Sequence, residues 1–381
     1  MRNFIIFFMI FIGFINAQNR VITTGVPFLM ISPDARAAGM GELGVATSAD
    51  AYSQQWNPAK YIFSNSERGL ALSYTPYLSK LVDDIFLGNL NYYKHLNDRS
   101  SWAFSLKYFS LGDIQFNELI GGSIIDQGLE RPNELTLDLS YSLKLSPFFS
   151  MGIAGRYIRS DLKITSESGS KSANSLGVDV SAFYQGQEFQ FINNRGVFRF
   201  GINISNIGPR LNYDVGGQKN FIPTNLKIGT GLDLILDSSN IFGFYFEFNK
   251  LLVPSPVSSY NELGVFQGYK QPDISFLKGI LTSFNDAEDG IKEEFQEITF
   301  AIGLEYRFAE AFSIRSGYFN ENENKGSRKY LTMGTGFNLG FIEIDISYLF
   351  STSKVRNPLE NTIRFSTTFK LENKQVIDDP N

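Results

Sequence analysis

The fold is decided by stretches such as residues 134–146, which read ELTLDLSYSLKLS. Leucine or tyrosine occupies every second position, and threonine, aspartate, serine or lysine occupies the positions between them. Because successive side chains of a β-strand point to opposite faces, this spacing predicts a strand with one apolar and one polar face. The same alternation recurs at residues 198–204, 242–249, 297–308, 342–350 and 363–371.

Two all-β folds contain strands of this kind, a soluble sandwich with a dry core and a membrane barrel with a polar lumen. The segments run for about 9–12 residues, which matches the length needed to cross a bilayer. Tyrosine and phenylalanine collect near their ends, as at a membrane interface. We therefore predict a 14-stranded antiparallel transmembrane β-barrel and keep the sandwich as the alternative. The predicted strands are 68–76, 84–94, 101–112, 134–146, 148–160, 173–185, 196–206, 223–237, 240–250, 295–308, 311–319, 328–338, 340–352 and 361–371.

The connections between these strands alternate in length. Those after even-numbered strands are tight, whereas those after odd-numbered strands include the long segments 113–133, 207–222 and 251–294. Bacterial outer-membrane barrels have short periplasmic turns and long outer loops. The pattern therefore predicts the outer membrane of a Gram-negative bacterium, with both termini in the periplasm. The segment 186–195 is the exception, because it is long for a turn.

The composition excludes several kinds of chemistry. The chain has 381 residues, no cysteine, a single histidine and a formal net charge of −5. Disulfide scaffolds, thiol nucleophiles, cysteine-ligated metals and two-histidine motifs are therefore ruled out. The acidic balance argues against a nucleic-acid partner. His95 is expected in an exposed turn without a nucleophile motif, so we expect neither an enzyme nor a metal or cofactor site.

The polar faces of the predicted strands carry both signs of charge in nearly equal number. An ion-selective pore usually has a ring of one sign, whereas mixed signs fit a lumen that is paired with itself or with a plug. The expected lumenal acids are Asp138, Asp179, Asp233, Glu247, Glu297, Glu305, Glu343 and Asp345. The expected lumenal bases are Lys107, Lys144, Arg156, Arg199, Lys227, Arg307, Arg315, Arg364 and Lys370.

The predicted domains follow from the two ends of the chain. Residues 1–17 form a basic start, an apolar run and Ala17 at a cleavage position, which indicates a signal peptide; the alternative is a buried N-terminal strand. Residues 18–65 do not alternate and are predicted to form a periplasmic or lumenal hatch segment. The barrel is predicted over 66–371, and a polar periplasmic tail over 372–381.

The hatch segment contains a distinctive motif rich in small residues, which permit close backbone packing. Such a segment can fold into the lumen as a hatch, or it can lie in the periplasm outside the pore. Asp34 and Arg36 within it could pair with each other or with lumenal charges. The motif residues are Pro33, Asp34, Ala35, Arg36, Gly39, Met40, Gly41 and Gly44, followed by Trp56, Asn57, Pro58 and Ala59.

A hatch with Asn57-Pro58-Ala59 before fourteen strands resembles the FadL family of outer-membrane transporters for hydrophobic compounds. The fuller motif over residues 33–61 is more similar to the PorV (LptO) family, the FadL-like outer-membrane components of the type IX secretion system. That resemblance implies docking to a large outer-membrane translocon barrel. It also implies transfer of secreted cargo, recognised by its C-terminal domain, to a cell-surface attachment complex. The FadL resemblance alone implies a passive channel for hydrophobic small molecules.

The loop 251–294 is the candidate partner-binding loop, with loop 113–133 as the second candidate. Its apolar residues are spaced to lie on one face of a helix, and an exposed apolar face can mark a partner site. The alternative is a helix that caps the mouth of its own barrel. The residues concerned are Ile274, Leu277, Ile280, Leu281 and Phe284.

Overall fold

The computed structural model describes residues 21–120, 123–162, 172–192, 194–213, 219–353 and 357–373. The predicted signal peptide 1–17 and residues 374–381 of the predicted tail lie outside the described residues.

Eighteen strands account for most of the described chain. In chain order they are β1 (Ser66–Pro76), β2 (Ile85–Asn97), β3 (Ser100–Leu111), β4 (Ile114–Ile120), β5 (Ser123–Glu130), β6 (Asn133–Ser146), β7 (Phe149–Asp161), β8 (Ala173–Phe191), β9 (Asn194–Ile207), β10 (Asn225–Ile235), β11 (Asn240–Leu251), β12 (Val257–Tyr260), β13 (Phe266–Lys270), β14 (Ile298–Phe308), β15 (Phe312–Asn320), β16 (Lys329–Asn338), β17 (Ile342–Ser351) and β18 (Ile363–Asn373).

Fourteen of these strands form one closed antiparallel barrel, which confirms the predicted fold. Each barrel strand pairs with the next one along the chain, and β18 closes the ring on β1, for example through Tyr74 opposite Phe365. Each of the fourteen predicted segments overlaps one strand of this barrel, although β8 ends later than predicted and β14 begins later. The remaining strands pair as two separate hairpins, β4–β5 and β12–β13.

The alternation predicted from the sequence separates the two faces of the barrel wall. On β6, Thr136, Asp138 and Ser140 are buried towards the lumen, while Leu137 and Leu139 are exposed on the outer face. The other barrel strands follow the same pattern. The outer face is therefore the apolar surface that a bilayer requires, and the lumen is polar.

The connections divide the barrel into a long-loop end and a short-turn end. Both hairpins lie within the two longest predicted loops, 113–133 and 251–294. The exception 186–195 is explained by extra strand rather than a long turn, because β8 and β9 remain paired as far as Phe191 and Asn194.

Short helices lie in the hatch segment and in the longest loop. They are the 3-10 helix Pro27–Met30, α1 (Ala35–Ala38), α2 (Ser53–Trp56), the 3-10 helix Pro58–Phe63, α3 (Phe276–Thr282) and α4 (Ile291–Gln296). Within the described ranges, no helix has the length and apolar character needed to cross a membrane.

We predict that Leu139→Arg destabilises the barrel by about 2–4 kcal/mol, the cost of an arginine on the lipid face near the middle of the bilayer. Leu139 lies at the centre of β6 and its side chain is 60% exposed on the outer face. The measurement is urea unfolding in phospholipid vesicles. The control is Ile124→Arg on the β4–β5 hairpin, where a residue that is 76% exposed lies outside the barrel wall. Equal effects of the two substitutions would contradict the assignment of the lipid face.

Candidate functional site

The hatch segment, described from residue 21 to residue 65, runs through the lumen from one end of the barrel to the other. Near its start, the backbone N–H of Gly25 donates to the carbonyl of Phe221 at the long-loop end, at 2.8 Å. Near its finish, the Tyr61 carbonyl lies 2.8 Å from Nε2 of His95 on β2. The first described residues therefore lie at the opposite end from the one predicted for the N terminus. His95 is also buried rather than exposed, because the hatch covers it.

Asp34 organises the beginning of the hatch motif. Its Oδ2 accepts from the backbone N–H of Ala37 at 2.8 Å and caps α1, since an aspartate at this position satisfies a free N–H of the first turn. Its Oδ1 accepts from Nε1 of Trp56 at 2.8 Å. Both parts of the motif, 33–44 and 56–59, are thus joined through one buried carboxylate.

Arg36 fastens the motif to the barrel wall. Its Nε and Nη2 donate to the two carboxylate oxygens of Glu305 on β14, both at 3.0 Å. Its Nη1 donates to Asp50 at 2.8 Å. Arg36 therefore pairs with a lumenal acid and with another hatch residue rather than with Asp34. Glu305 also accepts from Nε of Arg315 at 2.8 Å, so the hatch joins the charge network of the wall.

Glycines in the hatch and in the barrel wall let the two backbones approach each other closely. A Cβ on Gly201 of β9 would lie 2.0 Å from the carbonyl oxygen of Val45, and one on Gly317 of β15 would lie 2.1 Å from the nitrogen of Gly41. Gly41 itself has a φ of +79°, which other residues rarely adopt. Within the hatch, a Cβ on Gly44 would lie 2.4 Å from Cγ of Trp56. The density of small residues in the motif is therefore explained by contact.

Carboxylates of the wall bind the backbone of the same segment. Oε2 of Glu247 on β11 accepts from the N–H groups of Gly44 and Val45, each at 2.8 Å. Thr332 on β16 accepts from the N–H of Gly41 at 2.8 Å, and Ser366 on β18 accepts from that of Ala35 at 2.7 Å. These contacts come from β11, β16 and β18, so the hatch is bound by several strands around the barrel and not by one strand pair.

The Asn57-Pro58-Ala59 turn fixes the end of the hatch to the opposite wall. The Asn57 amide donates to the carbonyls of Val45 and Ala182, both at 3.0 Å, and its oxygen caps the following 3-10 helix. Pro58 fits the first helical position, where no N–H is needed. The Ala59 carbonyl accepts from Oγ of Ser150 on β7 at 2.6 Å.

Most of the lumenal charges form ion pairs, in agreement with their mixed signs. Arg156 contacts Asp138 at 2.6 Å and Asp179 at 3.1 Å, and Arg199 contacts Asp233 at 2.9 Å. Further pairs are Arg307–Asp233, Arg315–Asp345 and Lys370–Glu343 within the wall, and Arg364–Glu42 between wall and hatch. Glu297 differs from its prediction, because it ends α4 in the long loop and precedes β14.

A cavity of about 340 Å³ lies between the hatch and the long loops. Ile31, Tyr77 and Leu359 contribute apolar surface to it, and Glu42 and Arg328 contribute charge. The cavity is thus mixed in character.

The candidate partner-binding loop contains a helix, as predicted, but a shorter one. Leu277, Ile280 and Leu281 lie on α3, Ile274 precedes it and Phe284 follows it. Leu277, Leu281 and Phe284 are 58%, 77% and 51% exposed, whereas Ile274 and Ile280 are partly buried. Sequence reasoning missed Ile291 and Phe295 on α4, which are 70% and 69% exposed. We name Leu277, Leu281, Phe284, Ile291 and Phe295 the loop patch.

A buried ion cluster holds the base of this loop. Nζ of Lys250 at the end of β11 contacts Glu294 at 2.9 Å and Glu297 at 2.8 Å. Nζ of Lys325, from the β15–β16 connection, contacts Glu293 at 2.7 Å and Glu297 at 2.9 Å. The loop is thus tied to the end of the strand that precedes it and to one neighbouring barrel connection.

The linker between α3 and α4 is fastened to the same cluster. Oε1 of Glu294 accepts from the N–H groups of Asp286 and Ala287, at 2.7 and 3.0 Å. Partial burial raises the pKa of the nearby Asp286 carboxyl above its usual value. The linker that follows α3 is therefore held against α4.

A closed barrel with an apolar outer face, a polar lumen and an internal N-terminal segment defines an outer-membrane β-barrel protein. The family described as Type IX secretion system protein PorV matches residues 14–258, which is more than half of the chain. The chain belongs to the PorV family.

Solved structures share this fold at low sequence identity. The TodX monoaromatic hydrocarbon channel in its deltaS2S3 mutant form has a TM-score of 0.53 at 12% identity, over 89% of this chain and 98% of that one. The P. putida toluene transporter TodX has a TM-score of 0.51 at 10% identity, over 90% of this chain and 100% of that one. No curated protein sequence matches the chain.

We predict that Gly201→Val displaces the hatch while leaving the barrel closed, because the new side chain would overlap the Val45 carbonyl. Arg36 and Lys60 are buried, so trypsin should cut the hatch of the variant and spare that of the parent. Gly155→Val is the control, since a Cβ there meets no atom within 4 Å. An uncut hatch in Gly201→Val would contradict the described contact.

We predict that Arg36→Met loosens the hatch by about 3 kcal/mol, the lower part of the range for breaking a buried ion pair, because Arg315 still pairs with Glu305. The chain has no cysteine, so Ala38→Cys, at a buried position, gives a single thiol whose labelling rate reports opening. Labelling should be about a hundredfold faster with Arg36→Met. Arg131→Met, which breaks an exposed pair with Asp113, should leave the rate unchanged. An unchanged labelling rate in Arg36→Met would contradict the prediction that Arg36 holds the hatch against the barrel wall.

Proposed function

We propose that this protein works in type IX secretion by docking to the large translocon barrel through its long-loop end. At that end it receives secreted cargo, which it recognises by the C-terminal sorting domain of the cargo protein. It then delivers the cargo to the cell-surface attachment complex. The family assignment supports the secretion system as the setting. The observation that carries the docking step is the loop patch, whose five apolar side chains are each at least half exposed.

The loop patch differs from the apolar surface of the barrel wall. It lies on α3, on the linker that follows it and on α4, within the connection between β11 and β14 at the long-loop end. It is therefore outside the band of strands that faces lipid. Large apolar surfaces exposed to water mark sites where proteins associate. This supports a protein partner at the long-loop end.

The ion cluster at the base of the loop supports the same proposal. Lys250 and Lys325 bind three glutamates at the C-terminal part of the loop, so α4 is fixed relative to the wall. A surface that is already ordered loses less conformational entropy when a partner binds. The buried pairs thus favour a preformed docking surface.

The proposed orientation places the long loops at the cell surface and the short turns in the periplasm. This supports access of the loop patch to the translocon and of cargo to the attachment complex. We also propose that the protein acts by contact rather than catalysis, since its one histidine is used in binding the Tyr61 carbonyl.

We predict that Leu277→Asp combined with Leu281→Asp abolishes co-isolation of the translocon barrel from detergent-solubilised outer membranes, and with it cargo secretion. Two carboxylates in the patch would have to be buried without partners on docking. Lys278→Asp is the matched control, an exposed position on the same helix that lies outside the patch. Heat-modifiable mobility in gels verifies folding of each variant.

A deletion of residues 270–290 extends this test. It removes α3 but leaves Glu293, Glu294 and Glu297 to bind their lysines. Normal secretion by the deletion variant, or by the double aspartate variant, would overturn the docking proposal.

The alternative is a passive channel for hydrophobic small molecules. The cavity of about 340 Å³ with apolar surface from Ile31, Tyr77 and Leu359 favours it. Isolation of a lone monomer with lipid or detergent in the lumen would support the channel. Co-isolation of a very large barrel and secreted cargo would support secretion.

A further inference from the structure

At the short-turn end, β8 and β9 continue past the neighbouring strand. β8 has 19 residues, and its ladder with β7 ends where Tyr184 lies opposite Phe149, followed by one bond from the Gln185 N–H to the Phe148 carbonyl. Its pairing with β9 continues to Phe191 and Asn194. We call the described residues 186–192 and 194–196 the β8–β9 ribbon.

The two faces of the ribbon differ in chemistry. Phe189 contacts Gly196 on the side that continues the outer positions Phe198 and Phe200 of β9. Phe191 is two residues further along and lies on the same side. The opposite side carries Glu188 and Arg195, which pair at 2.8 Å. The apolar outer face of the barrel therefore extends onto the ribbon. On the opposite face of the ribbon, the charges of Glu188 and Arg195 neutralise each other.

The exposed area on this face is large for so short a segment. Phe189 and Phe191 are each 40% exposed, and Ile192 at the tip is 80% exposed. The rings of the two phenylalanines form an edge-on pair with centroids 6.2 Å apart. Phe198 and Phe200, which lie on the lipid face, have exposures of 40% and 39%. The ribbon thus presents aromatic surface equivalent to that of the wall.

The open edge of β8 limits how deep this surface can lie. Beyond Gln185, the edge of β8 that faces β7 has no partner strand in the barrel ladder. Unpaired backbone groups are excluded from the hydrocarbon core, because lipid tails cannot hydrogen-bond to them. The headgroup region accepts such groups and is where aromatic side chains collect.

We propose that the β8–β9 ribbon is an interfacial anchor, with Phe189, Phe191 and Ile192 seated in the headgroup layer of the leaflet at the short-turn end. The partner is the phospholipid surface, since the apolar face of the ribbon is continuous with the lipid-facing wall and its charges are paired with each other. The anchor fixes the depth of the barrel in the bilayer on this side. The adjacent β6–β7 hairpin turns back before it reaches the level of the ribbon.

The absence of cysteine from the chain allows a direct test. Phe191→Cys is labelled with an environment-sensitive fluorophore in the full-length protein, reconstituted into phosphatidylcholine–phosphatidylglycerol vesicles. Gln190→Cys, one residue away on the opposite face, is the matched control, and Phe198→Cys on the barrel wall is the lipid-exposed reference. Heat-modifiable mobility verifies folding.

The proposal predicts that spin-labelled lipids with the label near the headgroup quench the probe at residue 191 several-fold more than the probe at 190. Water-soluble iodide should show the reverse order. Ile192→Cys is the second variant, and its probe should behave like the one at 191.

Equal quenching by iodide at 190, 191 and 192 would overturn the proposal. Shielding of residue 191 in native outer membranes but not in vesicles would also overturn it, in favour of a protein partner at the free edge of β8. Neither outcome depends on secretion, so the anchor can fail while the proposed function stands, and the reverse.

Discussion

Backbone groups that face a bilayer must all be hydrogen-bonded within the protein, and this constraint determines the rest of the structure. Closure of β18 on β1 removes the last free edges of the fourteen-strand ring. A ring of this size encloses a lumen, and the two-residue period of each strand then sends every second side chain into it. The same strands can therefore carry an apolar exterior and a polar lumen, because the residues of the two faces alternate along the chain.

A lumen lined by charged residues must hydrate them or pair them, and here the hatch segment supplies much of the pairing. Arg36 binds Glu305, Glu42 binds Arg364, and the N–H groups of Gly44 and Val45 share Glu247. Glycines allow the close approach, and Asp34 joins the two parts of the motif. Because these contacts are charged and buried, removing one partner costs more than the pair itself contributes. The hatch is thereby integrated with the wall.

Alternation along single strands was enough to predict the barrel, its strand number and the mixed charge of its lumen. Contacts between distant residues could not be predicted in this way. Asp34 and Arg36 are two residues apart, yet their side chains bind partners that are far away in the sequence. Asp34 accepts a hydrogen bond from Trp56, and Arg36 pairs with Glu305. His95 was expected in water because nothing in its neighbourhood indicates that Tyr61 covers it. The hairpins β4–β5 and β12–β13 were missed because their short strands do not repeat the long alternation of the wall.

The segment 186–195 and the loop 251–294 show how irregularities in a regular pattern point to function. A barrel needs only a tight turn at one end, so extra strand in β8 and β9 adds surface beyond what closure requires. A connection likewise needs only to span neighbouring strands, yet the one between β11 and β14 carries two helices and a hairpin on a base of buried ion pairs. Neither addition is needed to complete the ring. Each presents exposed apolar side chains in a defined position, one beside the lipid band and one away from it. The regular part of the chain thus places the protein in the membrane, and the two irregular parts add exposed apolar surface at opposite ends of the barrel.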